Sequence, residues 1–347
     1  MSLSRKEKLP KLIVEDFIKT AEPVGSNYLI KKYNLDLSSA TIRNEMNSLE
    51  KEGLLEKTHT SSGRVPSTKG YEYYIEHLRN KTVNEKVKNE LNVIFSKNSS
   101  IEDILGKSCE ILSNMTNLAS VVLGPSADVE KLVSIQLVSL GNNAVTAIFV
   151  TDKGYVENKT FSVTGKTNIE DIKKCLDMLN KRLAGTPISS LVPKMESLKP
   201  IFKDYLLEYD FIYNALIRTI CDFASNRTEF YGKENLLKQP EFKDDAEELK
   251  KLFELFNNSE CLEKVIPEKS NEVTIIHGDK TGIEDVSVVS KNIKANGTSI
   301  GKIAIIGPTR MDYSNVMNSL EYIVNKIMER LNYETISEEK EEKDGGK

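Results

Sequence analysis

Residues 38–53 constrain this chain more tightly than any other stretch. Laid on a helix at about 100° per residue, Ile42, Met46 and Leu49 fall in one narrow arc, while Ala40, Asn44, Asn47 and Lys51 fall on the opposite side with Arg43 at its edge. Such an apolar arc must be covered by neighbouring elements, and the flanking sequence supplies them. Residues 5–20 predict a helix with Leu9, Leu12, Ile13 and Phe17 near one face. Glu22-Pro23-Val24-Gly25 ends it, because proline lacks an N–H and glycine tolerates positive φ. Ser26 reads as the N-cap of a short helix over 27–33, and 34–37 as a turn. The third helix opens at Ser38 or Ser39 and stops at Gly53. Two short strands, 54–57 and 64–66, then flank a polar loop, and Thr68 caps a helix running from Lys69 to about Arg79. Three helices followed by a small hairpin describe a winged helix-turn-helix domain over residues 1–80.

The outward side of the third helix is short, polar and positive. Asn44 and Asn47 suit adenine N6 and N7, Arg43 suits guanine O6 and N7, and the Ala40 methyl can meet a thymine methyl. Ser38, Ser39 and Thr41 lie at the helix N-terminus, where free N–H groups favour a phosphate, and Lys51 closes the stripe. An ordinary solvated helix face has the same composition, so the stripe alone leaves both readings open. The hairpin separates them. Lys57, His59 and Arg64 flank a loop of Thr58, Thr60, Ser61, Ser62 and Gly63, and small residues beside a cation let a backbone approach DNA closely. His59 by itself reads more readily as a local hydrogen-bonding residue than as a base reader. The net charge of −4 argues against a nucleic-acid binder, but residues 1–80 carry 13 Lys/Arg against 11 Asp/Glu, a local +2 that leaves −6 for the rest. Any DNA contact must therefore come from a patch in the first domain.

Beyond residue 80 the pattern is mixed. A polar helix over 82–99 reads as a connector, 101–118 as an amphipathic helix, and 119–123 as a buried strand. Strands over 132–140, 144–151 and 155–163 are joined by Gly141-Asn142-Asn143 and Asp152-Lys153-Gly154, which suit antiparallel hairpins. Helices follow over 168–184, 198–207 and 208–225, then 241–257 and 259–265. Strands over 272–277, 286–293 and 299–306 precede a last helix over 313–331. The whole reads as an α+β multidomain chain.

Other function classes find little support. No apolar run approaches the roughly 20 residues of a membrane helix, and no apolar segment follows Arg5, Lys6 and Lys8, so a cytoplasmic, nucleoid-associated protein without membrane contact is expected. Cys109, Cys175, Cys221 and Cys261 lie about 40 to 65 residues apart, so neither a zinc site nor a redox pair is expected, and no cofactor is. Catalytic motifs are missing. Gly297-Thr298-Ser299-Ile300-Gly301-Lys302-Ile303 is one residue short of a P-loop and has Ile303 where a hydroxyl would hold magnesium, so a strand turn is expected there. A regulator that senses a small molecule is the alternative. Arg310 and Asp312 would line its site, although both fit equally well at the start of the last helix.

Five blocks now point to one family. Glu22-Pro23-Val24-Gly25-Ser26, Ser38-Ser39-Ala40-Thr41-Ile42-Arg43-Asn44-Glu45-Met46 and His59-Thr60-Ser61-Ser62-Gly63-Arg64-Val65-Pro66 resemble the N-terminal blocks of the HrcA family of heat-inducible transcription repressors. Phe230-Tyr231-Gly232-Lys233-Glu234-Asn235-Leu236-Leu237 and Gly307-Pro308-Thr309-Arg310-Met311-Asp312-Tyr313 resemble its later blocks; small departures fall at Ser67 and Lys69, in the Arg64–Tyr71 stretch of the N-terminal part. The resemblance implies a winged helix over 1–80 and a GAF-like domain over 84–128 and 226–336. It also implies a dimerisation domain inserted at 129–225; the charged, Gly-bearing composition of 337–347 separately predicts a disordered tail. The resemblance implies further that a homodimer binds double-stranded DNA at an inverted repeat called CIRCE. Activity would depend on the GroE chaperonin, whose capture by unfolded proteins in heat lets repression fall.

Overall fold

The computed structural model describes residues 5–57, 63–95, 101–124, 130–141, 144–154, 156–162, 169–205, 213–214, 216–220, 228–243, 246–257, 262, 265–266, 272–295 and 298–344. The fold is α+β, and the chain divides into two compact units. The first comprises Met1–Val121, Phe230–Ile293 and Ile303–Lys347; the second comprises Val122–Glu229 and Lys294–Lys302.

The first unit begins with α1 (Arg5–Thr20), α2 (Ser26–Tyr33) and α3 (Ser39–Lys51). A two-stranded antiparallel hairpin follows, β1 (Leu55–Lys57) and β2 (Arg64–Pro66), with Lys57 opposite Arg64. Ile42 and Met46 are fully buried against Leu9, Ile13, Val24, Leu29 and Leu55, and Leu49 packs at the edge of the same cluster. Each such burial stabilises the domain by about 1.5–3 kcal/mol. α4 (Thr68–Tyr73) is capped by Ser67, whose Oγ accepts the Gly70 N–H at 3.0 Å; the cap thus lies one residue before the expected Thr68. The helix then widens into a π-helical turn, Tyr74–Leu78, closed by Arg79 N–H on the Tyr74 carbonyl at 2.8 Å. Nothing in the residue pattern marks that widening.

α5 (Glu85–Phe95) is more than the expected connector. Val87 and Leu91, four residues apart, are buried, and α5 packs on α6 (Ile101–Thr116) and on the last helix, α10 (Tyr313–Asp344). β3 (Ala119–Leu123), β7 (Thr228–Tyr231), β8 (Thr274–Ile276), β9 (Val286–Ala295) and β10 (Thr298–Pro308) form a five-stranded sheet in the order β7-β3-β10-β9-β8. Gly301 lies inside β10, in the strand expected over 299–306. Of the expected helix over 241–257, the described residues Pro240–Lys243 and α9 (Ala246–Asn257) are helical. The expected helices over 208–225 and 259–265 lie largely outside the described residues.

α10 runs through Asp344. Ser337–Asp344 is rich in Glu and Lys, both good helix formers, and Glu339 and Lys343 stand at i,i+4; Gly345 and Gly346 follow.

The second unit has its own core. β4 (Leu132–Gly141), β5 (Ala144–Thr151) and β6 (Val156–Ser162) form a three-stranded antiparallel sheet. Ile135, Val145, Ala147 and Phe149 face α7 (Ile169–Leu183) and α8 (Leu191–Tyr205) through Ile172, Leu176, Leu183, Leu191 and Met195. Asn180 of α7 takes both backbone groups of Ile135, at 2.7 and 2.8 Å. Residues 129–225 fall inside this unit, which also takes in Lys294–Lys302 of the β9–β10 hairpin.

Candidate nucleic-acid interface

α2 and α3 are set by polar contacts that fix their angle. Asp16 of α1 is fully buried and accepts from Lys32 Nζ at 2.5 Å and Tyr33 Oη at 2.9 Å. That hydrogen bond, with a second to Tyr28, holds the Lys32 ammonium above the usual lysine range. Burial, reinforced by Asp16, pushes the Tyr33 phenol up to about 12. α2 ends at Asn34 in the left-handed region, φ 47°, where the turn was expected. Ser26 is not the cap of α2. Gly25 occupies that position, and Ser26 Oγ instead shares a hydrogen bond with Ser39 Oγ at 2.9 Å, tying the two helix N-termini together.

Of the two possible caps of α3 the structure uses Ser38, whose Oγ accepts the Thr41 N–H at 3.1 Å and lies 2.8 Å from Thr41 Oγ1. Thr41 N–H is thus occupied, and Ser39 faces α2. Ala40, Arg43, Asn44 and Lys51 are exposed, as is Lys57 on β1, and Asn47 is half-buried. The stripe thus presents a methyl, a guanidinium, amides and an ammonium along one side of a helix whose other side is locked into the core.

Arg64 corrects the sequence reading. It was expected to add charge to the loop, but its side chain is buried and folds back onto α3. Nε donates to Glu50 Oε2 at 2.7 Å, Nη2 to Asn47 Oδ1 at 2.8 Å and Nη1 to the Gly63 carbonyl at 3.3 Å. The backbone of Arg64 is held as well. Its N–H donates to the Val24 carbonyl at 3.0 Å and its carbonyl accepts from the Val24 N–H at 2.9 Å. The carboxylate and amide within its reach offset the water that the buried guanidinium gives up. Glu50 was missed in the sequence. The only signal was its place one turn beyond Asn47 on the side facing the hairpin. Thr58, His59, Thr60, Ser61 and Ser62 lie outside the described residues. Gly63 is buried at the base of the loop, where an added Cβ would come 2.8 Å from Pro23 Cβ.

The opposite side of this domain is anchored to α10 and the loop before it. Tyr74 Oη lies 2.9 Å from Ser314 Oγ, Arg79 Nη1 donates to Asn318 Oδ1 at 2.6 Å, and Asn318 Nδ2 donates to the carbonyls of Asn80 and Thr82 at 2.8 and 3.0 Å. Arg310 is paired with Glu241 and donates to Gln239 Oε1 at 3.1 Å and to the Ile18 carbonyl of α1 at 3.0 Å. Asp312 caps α10 by accepting the Asn315 N–H at 3.1 Å. Both residues border a cleft of about 210 Å³ with Asn117, Gln239 and Asn315, smaller than the roughly 300–1,000 Å³ of most ligand pockets.

With this geometry in hand, comparison with known proteins gives a consistent result. Residues 102–317 match the family model described as the HrcA protein C terminal domain. A heat-inducible transcription repressor HrcA from Bacillus pumilus (strain SAFR-032) is 39% identical over 343 residues, covering 95% of this chain and 98% of its own. The protein of the same name from Halalkalibacterium halodurans is 36% identical over 325 residues, covering 92% and 94%. A solved structure described as a hypothetical protein at 2.2 Å resolution shares the fold, with a TM-score of 0.67 and 24% identity over 96% of this chain and 99% of its own.

Proposed function

The chain belongs to the HrcA family of heat-inducible transcription repressors, and from that premise we propose that it represses chaperone operons by binding the CIRCE inverted repeat as a homodimer, under control of the GroE chaperonin. It acts as a transcription repressor and not as an enzyme. No described helix is long and apolar enough to cross a membrane, which suits work at the nucleoid in the cytoplasm.

The observation that carries the DNA reading is the two-sidedness of α3. Ile42 and Met46 lock one side into the core, so Ala40, Arg43, Asn44 and Lys51 stand out together. A helix of this kind enters the major groove, with the β1–β2 hairpin as the wing. Ser38, Ser39, Thr41 and Asn47 complete the helix contribution, and Lys57 with 59–63 the wing, while Arg64 supports the helix from behind. The five-stranded sheet with α6 and α10 supports a GAF-like domain.

The unit inserted between β3 and β7 fits the dimerising role. The sheet face turned away from its core carries Gln136, Val138, Thr146, Ile148, Val150, Val156, Asn158 and Thr160, paired across the strands without one charge. Val138, Leu140 and Val156 are exposed on it. An uncharged sheet face that mixes exposed valines with amides and hydroxyls suits a contact surface. Placing a lysine there, Val138→Lys, should halve the mass measured by sedimentation; an unchanged mass would move the interface elsewhere.

Two copies related by a two-fold axis present two helices to the two halves of an inverted repeat. About 6–10 phosphate contacts would weaken binding by roughly 10³–10⁵ between 50 and 200 mM salt. The test is a titration at fixed salt with an inverted-repeat duplex and a scrambled one, with and without chaperonin. Equal affinity for the two duplexes rejects the reading. In the same assay Arg43→Ala should lose about 1–3 kcal/mol of operator binding; no loss would remove Arg43 from the base-reading set.

A further inference from the structure

Arg64 stands where three parts of the DNA-binding domain meet. Its backbone joins the turn after α1 through Val24, it lies in the first position of β2, and its guanidinium reaches two residues of α3. Those two residues sit one turn apart and differ in kind. Glu50 Oε2 neutralises the charge at 2.7 Å. Asn47, on the outward stripe, gives its carbonyl oxygen to Nη2 at 2.8 Å. An amide has one accepting end and one donating end, and Arg64 can only donate. The contact therefore fixes which end of Asn47 is which. Oδ1 is turned to the guanidinium, and Nδ2, with no partner among the described residues, keeps both hydrogens for something else.

Resting on the DNA reading above, we propose that Arg64 is a positioning residue for base readout, holding Asn47 in the amide orientation that makes it a hydrogen-bond donor to a base edge. The chemistry of the partner follows. In the major groove guanine offers O6 and N7, thymine O4 and adenine N7 as acceptors, whereas cytosine offers only a donor at N4. An Asn47 free to flip would accept from cytosine; an Asn47 held by Arg64 does not. The device excludes one base without touching it, and the excluded base is set by a side chain buried behind the reader. Lysine cannot reproduce it, because a single ammonium lacks the planar fork that spans Glu50 and Asn47 together.

The experiment uses the full-length protein, the inverted-repeat duplex, a scrambled duplex, and a set of duplexes with each half-site base pair replaced in turn. The wild type should reject cytosine at one position per half-site. Arg64→Lys should lose that rejection at the same position only and bind the inverted repeat about tenfold more weakly, with affinity for the scrambled duplex unchanged. In the charge-removing variant Arg64→Gln the slope of log K against log salt should stay the same, because Arg64 neutralises no phosphate. In an Asn47→Ala background Arg64→Lys should change nothing further. A slope smaller by about one would show a direct phosphate contact and overturn the proposal, and so would full additivity with Asn47→Ala. If Arg64→Lys does not fold, Glu50→Gln serves in its place, loosening the anchor from its partly exposed end. It must relax the same base position, and a wild-type profile counts against the proposal. A wild type with no preference for the inverted repeat would sink the DNA reading itself, a different result from losing only the Arg64 role.

Discussion

Gly70→Ala is expected to destabilise the packing of α4 on the α3–β1 turn by about 3 kcal/mol or more and, on the function proposed above, to remove specific DNA binding with it. A Cβ at Gly70 would stand 2.1 Å from the carbonyl oxygen of Leu54, far inside any contact distance. The obstacle is backbone, so no side-chain rotation relieves it. That carbonyl also accepts the Ser67 N–H at 3.2 Å, and Ser67 Oγ donates to the Gly53 carbonyl at 2.6 Å while capping α4. Pushing α4 away therefore breaks the cap, the turn after α3 and the base of the hairpin together. Thermal melting should shift down by roughly 6–12 °C for a unit of this size. Hydrogen exchange should speed up over residues 54–70 and leave the second unit untouched. Gly25 provides the contrast. Nothing lies within 4 Å of a Cβ built there, so Gly25→Ala should cost less than about 1 kcal/mol. Equal melting of the Gly70 variant and the wild type would mean that α4 and β1 are not in the contact described.

The second large effect concerns Arg310. Its guanidinium and the Glu241 carboxylate are each less than one-fifth exposed, so Arg310→Met strands a mostly buried carboxylate and removes the donors to Gln239 and the Ile18 carbonyl. Breaking one side of such a pair costs about 3–5 kcal/mol, whereas removing both sides costs far less. Urea denaturation should therefore show Arg310→Met with Glu241→Leu to be more stable than Arg310→Met alone. Strict additivity of the two substitutions would show that the pair contributes nothing as a pair. The single variant has a second consequence, because α1 loses a tether to the rest of its unit.

Periodicity carried much of this structure, and its failures share a cause. The inward arc of α3 was legible because apolar spacing reports burial directly, and Ile42 and Met46 lie where that spacing puts them. The β4–β6 meander was legible because its turns carry Gly141 and Gly154, both at positive φ. Polar residues were harder, since a sequence shows that a side chain bears a charge or a hydroxyl but not which neighbour answers it. Arg64 was read outward because cations usually face water; Glu50 and Asn47, which reverse that, are 14 and 17 residues away. Ser26 was read as a cap because serine caps helices, yet its partner is Ser39, 13 residues on. α5 was read as a connector because two buried residues among polar ones give too weak a signal. The π-helical turn leaves no residue pattern at all.

The anchoring of the reader to α10 has a consequence for how the chain is made. Tyr74 meets Ser314, and Asn80 meets Asn318, across about 240 residues of sequence. At about 5–20 residues per second, the ribosome releases the anchor roughly 10–50 s after the segment it fastens. A nascent chain thus carries α1–α3 and the β1–β2 hairpin long before the residues of α10 that fasten them have been made. A fixed seat for the N-terminal helices is, for this molecule, among the last features that translation confers.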